Sequence, residues 1–347
     1  MRFENETLDW LFNEQLRIDP EWSVLTGKGF TWWAHAHAQS IEVLGEVESE
    51  GDRATLVGVR TEVARHVPLS PKTERLLNVC WMPFASMSGP ILDEQGNLFL
   101  CSAVRVHDGI RKWMDPLISL AAALQLHEAP VVAQLVAKAL GGEPATSEHP
   151  VSGWRRKPDE IAEIARVLVL PKGHESCPWR EGEFKDTVQR YMQQPPSLLA
   201  SSGGAGFTVE FPYGEDSSLM RATAGEPHPV YGNGLLLRQS FPINEASESS
   251  GANAALKLNG VELAERPSGY GFGSYCYSDG CIHFVTFLPN AAYRRGLLPN
   301  FYMAAAGRAQ WMSLEFRRDG WENMWDKSGR AHARSAIERA AARSRGL

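Results

Sequence analysis

Ser274-Tyr275-Cys276-Tyr277-Ser278-Asp279-Gly280-Cys281-Ile282-His283-Phe284-Val285-Thr286-Phe287-Leu288 reads as two strands around a tight turn. Asp-Gly between aromatic and β-branched residues signals a hairpin, because the turn needs positive φ. The strands are Ser274–Tyr277 and Cys281–Leu288. A helix over Leu297–Arg318 follows. Its Leu298, Phe301, Ala305, Ala309, Met312 and Phe316 recur at spacings of 3, 4, 4, 3 and 4, which is one apolar helical face. An earlier stretch has the same order. Pro90–Leu92 and Asn97–Val104 are strands, Gln95-Gly96 is in the turn, and Trp113–His127 is the helix.

The segments before each hairpin extend the parallel. Leu8–Leu16 reads as a short helix stopped at Asp19-Pro20. Phe30–Gln39, Ile41–Glu48 and Ala54–His66 read as strands, and Ser70-Pro71 opens a helix running to about Val79. Val131–Leu140 extends the helical region after Pro130. Gly206-Phe207-Thr208 repeats Gly29-Phe30-Thr31 at an offset of 177, and the turn glycines Gly280 and Gly96 are 184 apart. One length difference of seven residues reconciles the two offsets, and the proline- and glycine-bearing stretch Glu226–Gly234 is its expected place. The reading is α+β, with two tandem copies of an antiparallel sheet packed against a long helix. It divides the chain into a first domain (1–144), a linker and crossing helix (145–183), a second domain (184–325) and a basic helical tail (326–347).

The 347 residues are 43% hydrophobic and 22% charged, enough for two self-sufficient cores. A net charge of −6 gives no general attraction to nucleic acid or an anionic membrane. The sequence shows no apolar run near the ~20 residues of a membrane span and no signal-peptide layout at Met1–Glu6. A cytoplasmic location is expected. Five cysteines read as reduced thiols, with Cys276 opposite His283 if the turn is the two-residue Asp279-Gly280.

This order of elements resembles the type III secretion chaperone-like fold, including its bacterial YbjN-type relatives, over about 8–127 and 184–318. The resemblance rests on element order and length. It implies a helix between the third and fourth strands, at Ser70–Val79 and Asn244–Leu258. It also implies client binding without catalysis, and a tandem copy that acts as a covalent pseudo-dimer.

The candidate chemistry is sparse. His35-x-His37 on one strand face would supply two metal ligands, but no third is evident, so no metal or other cofactor is expected. His174-Glu175-Ser176-Cys177 pairs a thiol with a histidine but reads as a loop. Ser201–Gly206 is glycine-rich yet lacks the Lys-Ser/Thr of a phosphate loop. His107-Asp108-Gly109 reads as a turn. The expected function is a non-enzymatic protein-binding module, chaperone- or adaptor-like, with a protein client. The alternatives are a metal-dependent hydrolase using His35 and His37, and a nucleic-acid-associated regulator using the basic tail. The client surface is expected at apolar residues off the buried helix faces: Trp311, Tyr302 and Leu314 on the last helix, and Trp113 on its counterpart.

Overall fold

The computed structural model describes residues 2–49, 52–163, 177–191, 205–214, 216–243, 247–265 and 270–315. The basic tail, most of the glycine-rich stretch, and His174 to Ser176 lie outside them. The first half contains α1 (Glu6–Trp10), running into a π-helical turn Leu11–Gln15, then β1 (Ser23–Thr26), β2 (Gly29–Trp33), β3 (Ala38–Ser49), β4 (Asp52–Arg65), α2 (Pro71–Trp81), β5 (Gly89–Leu92), β6 (Leu98–Val106), α3 (Arg111–Leu140) and β7 (Glu143–Pro144). The second contains α4 (Glu181–Tyr191), β8 (Gly206–Tyr213), β9 (Asp216–His228), β10 (Gly232–Pro242), α5 (Glu248–Gly260), β11 (Tyr270–Gly271), β12 (Ser274–Ser278), β13 (Cys281–Pro289) and α6 (Leu297–Glu315).

All strand pairings are antiparallel, and each sheet carries a long helix, so the α+β reading holds. The principal strand orders match. β2-β3-β4-β6-β5 runs through the first sheet, and β8-β9-β10-β13-β12 through the second. The Gly-Phe-Thr anchors have a shared physical cause. A Cβ on Gly29 would lie 2.1 Å from the Ile41 carbonyl oxygen, and one on Gly206 2.5 Å from that of Ala222, so the neighbouring strand excludes any side chain. The following Phe30 and Phe207 are buried edge-on against Phe12 and Phe184 of the preceding helical segments. Gly96 and Gly280 take φ of +78° and +73° in the two hairpin turns, where a side chain would be strained.

One hydrogen-bond triangle recurs with its members exchanged between strands. In the first half Gln39 of β3 donates to Thr61 of β4 and to the Ala122 carbonyl of α3. In the second, Gln239 of β10 donates to Ser218 of β9 and to the Ala305 carbonyl of α6. Each long helix is thus fixed to its sheet by a buried amide. The expected α6 stripe is buried at Leu298, Phe301, Ala305, Ala309 and Met312; Phe316 lies outside the described residues.

Several expectations need correction. The strand expected over Phe30–Gln39 ends at Trp33 and resumes at Ala38. Between them the Ala34 and Ala36 carbonyls accept the amides of Asp159 and Ser147, so the chain turns away to bond a later segment. That segment is the stretch read as a linker, and it is docked on the first sheet. β7 pairs with the end of β4, Ala145 is buried, and Trp33 Nε1 donates to Ser147 Oγ at 3.0 Å. The helix read over Trp113–His127 and its extension over Val131–Leu140 form one continuous helix, α3, with Pro116 and Pro130 inside it. Ala133 and Val136 remain buried beyond Pro130, so packing holds the helix together past a residue that cannot donate. Among the described residues α3 alone is long and apolar enough to cross a membrane, and it lies on the first sheet.

The seven-residue difference is not at Glu226–Gly234. The offset is 177 at the opening glycines, 206 against 29, and still 177 at the intervening helices, which begin at 248 and 71. It becomes 184 only after the second of these, so the extra residues lie between α5 and the hairpin turn. There the chain makes a π-helical turn, Val261–Glu265, and then β11, which pairs with Ala103 and Val104 of β6 in the first sheet. The added length stitches one half to the other.

Candidate functional site

The α6 residues expected at a client surface take different places. Tyr302 is half-buried, its ring 5.4 Å from that of Phe211. Trp311 is half-buried against Val261. Leu314 is 48% exposed and Met303 56%. At 100° per residue, Met303, Gly307, Gln310 and Leu314 form one outward line, flanked on opposite sides by Tyr302 and Trp311. Trp113 of α3 lies elsewhere. Its Nε1 donates to the Arg295 carbonyl, and the Lys112 ammonium sits 4.1 Å from its ring centroid, so it joins the two halves.

His35 and His37 do not share a strand face, because β2 ends before them. His35 is exposed. His37 is buried with Nδ1 3.1 Å from the Glu62 carbonyl, and burial lowers its pKa. Among the described residues no three His, Cys, Asp or Glu side chains gather as metal ligands. Cys177 reaches the Gly234 carbonyl at 3.7 Å, and burial raises its pKa, the opposite of what a thiolate nucleophile needs. All five cysteines are free, and Cys276 faces His283 across the hairpin.

The polar chemistry lies at the junction of the halves, in residues the sequence reading passed over. Glu128 on α3 accepts Ser86 Oγ at 2.7 Å and Tyr231 OH at 2.5 Å on Oε1, and Ser88 Oγ at 3.1 Å on Oε2. Ser86 and Ser88 lead into β5, while Tyr231 comes from the β9–β10 turn of the other half. His228 shapes that turn. Its Nδ1 accepts the amides of Val230 and Tyr231, and its ring stacks on Tyr231 at 4.8 Å. The same His-Pro-Val turn occurs at His149, whose Nδ1 accepts the amides of Val151 and Ser152. Burial pushes His228 down to about 4.

A second cluster seals the floor of α6. Arg308 and Glu262, both buried, pair at 2.6 Å between Nη2 and Oε1, and Arg308 Nε lies 3.1 Å from the same oxygen. Tyr275 OH donates to Glu262 Oε2 at 2.5 Å, and Arg308 also reaches the Gln239 amide oxygen and the Tyr270 carbonyl of β11. Burial works against the guanidinium charge, but Glu262 overcomes it, and the Arg308 pKa is raised. The sequence signal for both clusters was a charged residue within an apolar helix face: Glu128 one residue before buried Ala129, and Arg308 between Ala305 and Ala309.

A carboxylate satisfied by three hydroxyls and one satisfied by arginine and tyrosine are both filled sites. Their chemistry is cohesion and pH response. Burial raises the Glu128 pKa above its ordinary value of 4.5, against the opposing pull of Ser86, Tyr231 and Ser88. A raised carboxylate stabilises the fold fully below its unfolded pKa, and that contribution is lost as pH rises through the folded pKa. Wild-type protein should therefore lose stability relative to Glu128→Gln as pH rises above 4.5. Urea midpoints across a pH series measure the difference; a wild type that gains on the variant with rising pH contradicts it.

Comparison with protein-family models, curated proteins and solved structures finds no match for this chain.

Proposed function

We propose that this chain is a non-enzymatic protein-binding module, chaperone- or adaptor-like. In this reading it is a tandem copy of the type III secretion chaperone-like fold, joined into a covalent pseudo-dimer. The observation that carries the proposal is α6, which is apolar on more sides than its sheet covers. Met303 and Leu314 lie open to solvent between two half-buried aromatics. An amphipathic client helix laid along this line would bury them and the outer edges of Tyr302 and Trp311. The matching strand orders and the repeated glutamine triangle support the duplication. The filled character of the polar clusters supports binding over catalysis.

Affinity capture from the native host, followed by mass spectrometry, tests the proposal. Trp311→Ala should weaken client capture by at least ~1 kcal/mol, the lower mark of a hot spot. Because Trp311 also touches Val261, Leu314→Asp serves as the second variant: it adds a charge at an exposed position and should abolish the same capture with the fold intact. Equal capture by wild type and both folded variants would remove α6 as the client surface.

A further inference from the structure

The docked stretch after β7 leaves an open cleft of about 590 Å³ against the Pro20–Trp22 turn. Small-molecule sites typically span ~300–1,000 Å³. Trp22 and Trp154 both line the cleft, and Trp154 is 55% exposed. One wall is fixed by an internal ion pair. Arg155 donates to the Trp33 carbonyl and to Asp159 Oδ2, each at 2.9 Å, with its guanidinium 5.2 Å from the Trp22 ring centroid. Asp159 also accepts the Ile161 amide, so this pair is occupied.

The next two residues are not occupied in this way. Arg156 and Lys157 line the cleft, are exposed, and have no ion-pair partner among the described residues. Asp19 and Glu160 provide the remaining acids. Asp19 Oδ1 is turned onto the Glu21 amide, which leaves Glu160 as the acid without a described partner on the rim. With Arg155 paired to Asp159, the cations Arg156 and Lys157 are matched in number by Asp19 and Glu160, so the lining is neutral overall. The two adjacent cations can pair with a single anionic group placed against them, whereas a polyphosphate would bring further charges against Glu160 and Asp19. An exposed indole beside two cations suits a flat ring carrying that charge, since the ring stacks while the anion pairs.

We propose that this cleft binds a small planar monoanion, an aromatic or heteroaromatic carboxylate, with its ring on Trp154 and its carboxylate held by Arg156 and Lys157. Binding of 2-naphthoate to the full chain, measured by titration calorimetry, tests this, with neutral 2-naphthamide as the comparison. Naphthoate should bind in the submillimolar range and the amide about tenfold more weakly, the loss of one charge-assisted pair. Trp154→Ala, and separately Arg156→Gln with Lys157→Gln, should each weaken naphthoate about tenfold. All three positions are exposed, so the variants should keep the wild-type circular dichroism. Absence of naphthoate binding at millimolar concentration, equal affinity for the amide, or undiminished binding by both variants overturns the proposal.

Discussion

Glu262→Ala should lower the unfolding free energy by roughly 3–5 kcal/mol, the usual cost of leaving one member of a buried ion pair without its partner. Arg308 would keep its charge inside the second half with no carboxylate to answer it, only neutral partners such as the Gln239 amide oxygen, the Tyr270 carbonyl and the Phe284 ring, and Tyr275 would lose its carboxylate acceptor. Replacing both members with methionine should cost far less than the two single changes together, because the desolvation penalty disappears with the charges. Urea denaturation of the three variants measures this. A Glu262→Ala cost below ~1 kcal/mol would mean that water reaches the guanidinium and the pair is not sealed.

The second large effect concerns the edge of β12. Strand edges expose unpaired amides and carbonyls that invite pairing with other chains. Here two asparagines take the place of a neighbouring strand. Asn78 of α2 donates to the Tyr277 carbonyl at 2.8 Å and accepts the Tyr277 amide at 2.6 Å. Asn259 of α5 does the same for Tyr275, at 3.2 and 2.7 Å. One helix comes from each half, so capping the edge also locks the halves together. Asn78→Ala should cost roughly 2–6 kcal/mol, from two buried main-chain groups left unsatisfied at ~1–3 kcal/mol each. Hydrogen exchange at the Tyr277 amide should accelerate in the variant more than at Tyr275. Equal acceleration at both amides would mean that the variant loosens the whole edge and not the Asn78 contact. This capped edge also closes β12 to strand addition by a client, which is why the proposed client helix is placed on α6.

Much of the fold was legible because local chemistry and tertiary structure agreed. Asp279-Gly280 signalled a hairpin turn without fixing its length, and Asp279 and Gly280 take φ of +52° and +73° in the two-residue turn that puts Cys276 opposite His283. Ser70 caps α2 by accepting the Thr73 amide, with Pro71 at the first helical position as the sequence implies. The readings failed where partners distant in the chain decided the outcome. Alternation from Phe30 to Gln39 looked like one strand, but the carbonyls at Ala34 and Ala36 are claimed by residues more than a hundred positions later. The polar residues 145–156 looked like a spacer because their partners, Trp33 and the ends of β2 and β4, cannot be read from composition. Glu128 and Arg308 escaped notice for the same reason. A charge on an apolar helix gains meaning only when its hydroxyl or carboxylate partners are brought in from other elements.

Two halves of like topology are joined through β11, the asparagine-capped edge of β12 and the Glu128 cluster, and should therefore unfold as one unit. Native-state hydrogen exchange in increasing low concentrations of denaturant, followed at Val59 of β4 and Val285 of β13, one buried strand in each sheet, checks this. Both amides should exchange through the same opening, with equal free energy and equal denaturant dependence. If one sheet opens at distinctly lower free energy while the other stays protected, the halves are separate folding units and the weld does not exist.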